Sequence, residues 1–490
     1  MSKKKQYDDL YGGVGRAMNF RAKRVLAREV ADLDGFDLTV DGKPAQVHDL
    51  AMSGLSFHTP PADSSSVGDA VELRVCFADQ VIFDGAARVA RIEDLGRSRR
   101  IAVQLLTGFL DLPAIRRADE DRTLQLRLGT GADKVRDKVP ADFREVNEHA
   151  AFFLAHHRRL LDETENRYRE QGANGRELID RLVQQASDAM RPEWLAISSR
   201  AGEIARPYLE DAETRAAMKA YVETLITSQL LDVPIVSRAY TKPLGYAGDY
   251  QVMNLIFRNA YEGRTVFSRV INKLFVEESI AEGARARLEL LKKIYADELA
   301  RRTALGATEP FRIMSLGCGP AKEVSDFADG PDAWPTPIHW TLLDQDEQVL
   351  SLAYSESFKR LTARRDGSSV RCLYMSFQQL IADPEGSFNE ESHDLVYASG
   401  LYDYLRQNRA RELTRALYDK TSPGGLCIIA NGAAPSKSLW PTEFILDWTL
   451  IYRTEAEMRD IAAALPADAE VEFTAEREGA FSFLIARKPG

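Results

Sequence analysis

The spacing of hydrophobic positions changes twice along the chain. Between about residues 34 and 108, short alternating runs are separated by turn residues. FDLTVDG (36–42) alternates and ends in Asp41-Gly42, a hairpin dipeptide. AQVHDL (45–50), GLSFHT (54–59), AVELRVCF (70–77), VIFDGAARVARIE (81–93) and RRIAVQLL (99–106) continue the pattern. Strands this short and this close predict a small antiparallel β-barrel. From about 141 to 304 the period becomes helical, as at Met218, Tyr221, Val222, Leu225 and Ile226 and again at Leu288, Leu291, Tyr295 and Leu299. The polar run 128–140 (RLGTGADKVRDKV) reads as a linker, and KPLGYAGDY (242–250) breaks the helical texture. From about 310 onward, RIMSLG, HWTLLD, VRCLYM, DLVYAS and LCIIAN read as strands buried on both faces, with helical segments between them. That alternation predicts a doubly wound parallel sheet. EVEFTAE and AFSFLIARK, joined through Arg477-Glu478-Gly479, predict a terminal hairpin.

The expected fold class is therefore multidomain: a small antiparallel β-barrel in 1–120, a helical segment in 121–305, and a Rossmann-like doubly wound sheet with a terminal hairpin in 306–490. A chain of 490 residues suits this, at roughly 100–200 residues per domain. Hydrophobic residues at 44% and charged residues at 28% are globular values. The apolar runs fall short of the ~18 residues a membrane span needs, so no stable membrane insertion is expected. The opening MSKKKQYDDLYGG lacks the apolar stretch of a secretory signal. Cys76, Cys318, Cys372 and Cys427 are scattered, with no Cys/His cluster, so neither a disulfide framework nor a metal site is expected and a cytoplasmic setting fits. The net charge of −10 argues against wholesale nucleic-acid binding. Within residues 1–30, however, eight basic residues, among them Arg21, Arg24 and Arg28, outnumber three acidic ones.

Chemistry concentrates first in FRIMSLGCGPAKEVSDF (311–327). A strand ends at Leu316, and Gly317-Cys318-Gly319-Pro320-Ala321 leads into a helix. Glycines here let the backbone turn tightly and approach a ligand without Cβ atoms in the way, although the same pattern also serves a plain strand–helix turn. The next strand ends in Asp344, followed by Gln345. A carboxylate there can grip a ribose diol or merely cap the following helix. The third strand ends at Ser376-Phe377, where an adenine could be held. The fourth ends in Ser399-Gly400, with Tyr402, Asp403 and Tyr404 next.

On these residues, together with the Ser422–Gly425 turn and the closing hairpin, 310–490 resembles the class I S-adenosylmethionine-dependent methyltransferases. The resemblance implies S-adenosylmethionine as cofactor, with Leu316, Gly317, Cys318 and Gly319 along its methionine part, Asp344 and Gln345 at the ribose, and Ser376, Phe377 and Ser399 nearby. The chain departs from the pattern at Ser315 and Ser376, where acids are common. A nicotinamide site is the rival for a glycine loop; Ala321 in place of the third glycine and the closing hairpin count against it. His339 and His393 sit at the wrong strand ends for a base. A carboxylate acceptor is ionised at neutral pH and needs none.

The upstream stretch SRAYTKPLGYAGDYQVMNLIF (237–257) resembles a bacterial group related to synthases of 3-hydroxy fatty acid methyl esters. That resemblance implies a lid whose Tyr246 and Tyr250, with Tyr402 from the core, form the catalytic pocket, with Arg238 or Lys242 holding an anionic small-molecule acceptor, such as one with an acyl chain. At the other end, RVLAR (24–28) followed by DLAMSG (49–54) and strands is similar to a PilZ domain, patterned R-x-x-x-R and (D/N)-x-S-x-x-G. The resemblance implies cyclic di-GMP binding by Arg24, Arg28, Asp49, Ala51 and Gly54, with Ala51 standing where serine is expected. Arg21, Arg88 or Arg91 would add contacts. Arginine suits such a ligand because its planar fork bonds guanine or phosphate bidentately. The sequence thus points to a cyclic di-GMP-responsive methyltransferase. An inert core in an adaptor that binds cyclic di-GMP and acts through protein partners is the alternative kept open by Ser315 and Ser376.

Overall fold

The computed structural model describes residues 24–61, 63–78, 80–96, 98–129, 132–330, 334–382 and 392–490. The chain divides into two compact units at Lys134/Val135, inside the run 128–140. Helices Leu112–Gly129 and Ala132–Asp137 occupy most of that run.

The first unit is a closed antiparallel barrel. Its strands are β1 (Val25–Leu26), β2 (Phe36–Val40), β3 (Lys43–Ala51), β4 (Gly54–Thr59), β5 (Ala70–Phe77), β6 (Gln80–Asp94) and β7 (Arg99–Leu105). The order β3-β2-β5-β6-β7-β4 closes through β3–β4 pairing, and β1 adds to β3. Alternation drives it: Val71, Leu73, Val75 and Phe77 of β5 are buried, and the residues between them point outward. The β2–β3 hairpin turns at Asp41 and Gly42, both with positive φ (49° and 73°), the conformation that suits a two-residue turn between right-twisted strands.

The second unit is built on β8 (Phe311–Leu316), β9 (Ile338–Asp344), β10 (Ser369–Tyr374), β11 (His393–Ala398), β12 (Thr421–Gly432), β13 (Glu470–Ala475) and β14 (Phe481–Arg487). The order is β10-β9-β8-β11-β12-β14-β13. β8 through β12 run parallel, and β14 lies antiparallel to both β12 and β13. This is a Rossmann-like doubly wound sheet with a terminal hairpin. Successive residues enter opposite cores, as the pleat requires. Ile313, Leu395, Tyr397 and Ile428 join the core shared with the helices between 141 and 304. Met314, Val396, Ala398 and Ile429 face helices Gln407–Asp419 and Glu455–Ala462. Among the described residues, no helix is long and apolar enough to cross a membrane.

One polar group lies deep in the helical core. Glu278 is buried, accepting from Trp194 Nε1 at 2.8 Å, Ser438 Oγ at 3.2 Å and Ser198 Oγ at 3.3 Å. Burial pushes its pKa from an ordinary 4.5 up to about 7. The folded protein therefore keeps a proton that the unfolded chain releases, and stability falls as pH rises from about 4.5 to 7. A shift of this size costs about 3 kcal/mol above pH 7. Glu278→Gln preserves the shape without the charge. Its melting temperature is expected to exceed that of the wild type at pH 8, with the gap closing by pH 5 in parallel thermal melts. A gap independent of pH would show that Glu278 does not titrate in this window.

Candidate active site

In a doubly wound sheet, ligands bind beyond the carboxyl ends of the strands where the winding direction reverses. Here that point lies between β8 and β11, since β9 and β10 extend the sheet on one side and β11 and β12 on the other. A cavity of about 540 Å³ opens there. Its wall includes Leu316, Gly317, Cys318 and Gly319 after β8, Asp344 and Gln345 after β9, Ser376 and Phe377 after β10, and Ser399 after β11. Tyr246 and Tyr250 face it from the helical region. Residues far apart in sequence thus share one surface.

Asp344 ties the glycine loop in place. Its Oδ2 accepts from Gly319 N at 3.1 Å and its Oδ1 from Asp346 N at 3.1 Å. Burial raises its pKa, and the backbone donors, Gly319 first, oppose that rise by favouring the ionised form. Gly317 and Gly319 have φ of 64° and 54°, the left-handed region that favours glycine. Among the described residues, nothing lies within 4 Å of where a Gly319 Cβ would project. The loop therefore leaves a cradle that a side chain would fill. Cys318 is buried, and burial pushes its thiol well above the ordinary range, which disfavours the thiolate. Ser376 accepts from Gln379 N at 3.3 Å and starts the short helix Phe377–Ala382.

The loop 242–249 lies between helices Pro234–Thr241 and Tyr250–Arg258. Asp249 is fully buried and accepts from Gln251 N at 2.9 Å and Val252 N at 3.1 Å, which starts the second helix. Arg238 Nε donates to the same carboxylate at 2.7 Å. Lys242 pairs with Asp447, which also holds Lys219. The two cations suggested for acceptor binding are thus committed to internal carboxylates. Burial, and then Asp344, raise the pKa of Tyr246, which favours its protonated phenol.

Tyr402 requires a correction. It is fully buried outside the cavity, with its hydroxyl 3.0 Å from Thr414 Oγ1. The turn Tyr402–Tyr404 is a 3-10 helix, and its roughly 120° step per residue sends successive side chains in different directions. Asp403 and Tyr404 face the cavity instead. Asp403 is buried, accepts from Gly432 N at 2.6 Å, and is pushed by burial up to about 6. Tyr404 accepts from Trp448 Nε1 at 2.8 Å.

Three further wall residues escaped the motif reading: Glu323, Trp448 and Arg287. Glu323 accepts from the Tyr397 hydroxyl at 2.7 Å, and burial raises its pKa. Arg287 lies one residue before Leu288, where the helical stripe Leu288–Leu291–Tyr295 begins. A charge at the edge of an apolar stripe was the available signal. Among the described residues no histidine lines the cavity; His393 is buried at the start of β11, and burial pushes it down to about 4.

On the barrel, pairing of β1 with β3 sets Leu26 opposite Asp49. Arg24 Nη1 meets Asp49 Oδ1 at 2.6 Å, and Arg28 is exposed nearby in the chain on the short helix Ala27–Val30. Ala51 and Gly54 are buried in the barrel wall. A Cβ on Gly54 would run into the Val103 carbonyl oxygen, so this glycine serves strand packing. Arg88 and Arg91 are exposed on β6. Arg21 and the rest of the basic arm before Arg24 lie outside the described residues.

No protein-family model matches the chain, and no curated protein matches it. Solved structures do, 593 chains in all. A possible exported protein from Bordetella parapertussis is 18% identical over 54% of this chain and 87% of its own, with a TM-score of 0.41. Magnesium protoporphyrin IX methyltransferase from Synechocystis PCC 6803 with bound SAM is 14% identical over 53% of this chain and 98% of its own, with a TM-score of 0.32. An O-methyltransferase family protein from Burkholderia thailandensis is 13% identical over 59% and 76%, with a TM-score of 0.32. Likenesses at these levels do not assign a function to this chain.

Proposed function

We propose that this chain is an S-adenosylmethionine-dependent methyltransferase that O-methylates an anionic small molecule of the fatty-acid carboxylate class, and that its barrel binds cyclic di-GMP. In this reading 1–120 is the sensor, 121–305 carries a lid at 242–250, and 306–490 is the transferase core. The observation that carries it is the glycine loop held by Asp344 at the sheet's switch point, above an open cradle and beside a large, mostly apolar cavity.

The residues fit the cofactor. The bare backbone of Gly317 and Gly319 would lie along its methionine part, Asp344 would accept from its ribose, and Ser376 and Phe377 would border its adenine. When bound, the cofactor supplies a sulfonium methyl whose transfer to a carboxylate oxygen forms the O–C bond as the S–C bond breaks, leaving a neutral ester and thioether with no proton moved. The protein's part is alignment and exclusion of water. Tyr246 and Tyr250 cover the cavity, and Met253, Ile256, Phe257 and Ile280 offer an apolar wall to an acyl chain.

Exposed Arg28 supports nucleotide binding on the barrel, where Arg24, half-exposed beside Asp49, would exchange that carboxylate for the ligand. Full-length protein with methyl-labelled cofactor and decanoate is expected to yield the labelled methyl ester. Saturating cyclic di-GMP is expected to change the rate or the S-adenosylhomocysteine affinity by about 5–150-fold. Arg28→Ala is expected to weaken cyclic di-GMP binding at least about tenfold by calorimetry, in line with a lost charge-assisted contact. Failure of wild-type protein to bind S-adenosylhomocysteine would reject the enzyme and leave the adaptor.

A further inference from the structure

Arg287 sits in helix Ser279–Ala304 and is only 6% exposed. Its Nε is buried without a hydrogen-bond partner, and among the described residues carboxylates act on it through space rather than by a direct ion pair. Asp403, Glu323 and Glu476 act on it only through space, while Asp403 accepts from the Gly432 amide, Glu323 from the Tyr397 hydroxyl and Glu476 from the Ala480 and Phe481 amides. A guanidinium this deep and without a direct partner is costly, and an anion that completes it is favoured by the same low dielectric.

Its place within the cavity narrows the choice. The guanidinium stacks 4.4 Å from the centre of the Phe481 ring. It also faces Gly400, where an added Cβ would lie 3.6 Å from Nη2 and 3.8 Å from Nη1. Gly400 follows β11 and Phe481 opens β14, so the cation belongs to the β11–β14 side. The glycine loop and Asp344 belong to β8 and β9, on the other side. Ile280, Ala284 and Leu288 of the same helix continue the apolar wall beside the charge. A cation set against an apolar surface matches a ligand with an anionic head and a hydrocarbon tail.

We propose that Arg287 receives the carboxylate of the methyl acceptor and so selects fatty acids over their neutral analogues. The inference rests on the transferase reading above and supplies the cation that Arg238 and Lys242 cannot. Gly400 matters to it as well, since any side chain there would stand against the guanidinium.

Calorimetry on full-length protein loaded with S-adenosylhomocysteine tests it, with decanoate and decanol as probes of equal chain length. Arg287→Met is expected to weaken decanoate binding at least about 30-fold, as loss of a buried charge-assisted pair predicts. Decanol binding and S-adenosylhomocysteine affinity are expected to change less than about threefold, since neither uses the charge. Arg287→Lys keeps the charge without the fork. It is expected to lose about five- to tenfold for decanoate alone, and it decides the question if the methionine variant does not fold. Equal losses for decanoate and decanol would overturn the proposal in favour of simple packing. Loss of S-adenosylhomocysteine affinity with 5′-methylthioadenosine affinity unchanged would overturn it by assigning the cation to the cofactor's own carboxylate. Unchanged decanoate binding in the variants, or no decanoate binding by loaded wild type, would also overturn it. A wild type that binds no S-adenosylhomocysteine would instead bring down the transferase reading itself.

Discussion

Valine in place of Gly317 is expected to abolish binding of S-adenosylhomocysteine while the chain stays folded. Two effects combine. Gly317 has φ of 64°, a conformation that a β-branched residue adopts only at a cost of about 1–3 kcal/mol. Its Cβ would sit 3.4 Å from Leu401 Cβ, and the branch would grow into the cavity where the cofactor's methionine part is proposed to lie. Strain of this size is local and small against the packed sheet beneath. Calorimetry should therefore show at least about a hundredfold weaker binding, while thermal melting shifts by only a few degrees. Gly317→Ala should fall between. Asp344→Ala removes an ionised acceptor and the anchor of Gly319, for a loss of about 1.5–3 kcal/mol, or roughly 10–150-fold. Wild-type affinity in both Gly317→Val and Asp344→Ala would eliminate this loop as the cofactor site.

Alanine at Gly248 is expected to slow methyl transfer by roughly 5–150-fold while altering S-adenosylhomocysteine affinity much less. Here the obstacle is packing. A Cβ at this position would overlap the Trp448 ring and come within 2.6 Å of the Tyr404 hydroxyl. Those two side chains are already fastened by the Trp448–Tyr404 hydrogen bond of 2.8 Å. Overpacking of this kind costs about 1–3 kcal/mol, and the loop 242–249 can relieve it by moving off the cavity wall. Tyr246 would move with it, exposing the acceptor end to water. Combining Gly248→Ala with Trp448→Phe removes the indole atoms that collide and frees the Tyr404 hydroxyl from its tether, so part of the rate should return. If the double variant is slower than Gly248→Ala alone, steric lifting of the loop is not the cause.

The site was partly legible before folding was considered. The glycine loop and Asp344 are local signals: a buried strand, a turn that needs positive φ, and an acid at the next strand's end. Each depends on a few neighbouring residues. The Tyr402–Tyr404 turn was less legible, because a single 3-10 turn carries no periodicity from which to read a direction. The result was Tyr402 assigned to the cavity where Asp403 and Tyr404 stand. The helices within 128–140 were not legible either, because a polar run carries no apolar periodicity from which to read one.

By itself the sequence determined the two sheets. Alternation in AVELRVCF can bury one face only, and contiguous apolar runs such as LCIIAN must be covered on both, so the barrel and the doubly wound sheet follow from where side chains point along a pleated strand. The tertiary structure alone decided which charges remain available. Lys242 and Asp447 are 205 residues apart, and only the fold sets them in contact. Arg238 looked equally free until Asp249 turned back from the start of the next helix. Arg287 looked like one more helical surface charge, yet packing against Phe481 leaves it inside the cavity, with Asp403 and Glu323 acting on it only through space. Strand formation is governed by neighbours in the chain, whereas the pairing of a charge depends on desolvation and on partners brought from elsewhere, and neither is written in local periodicity.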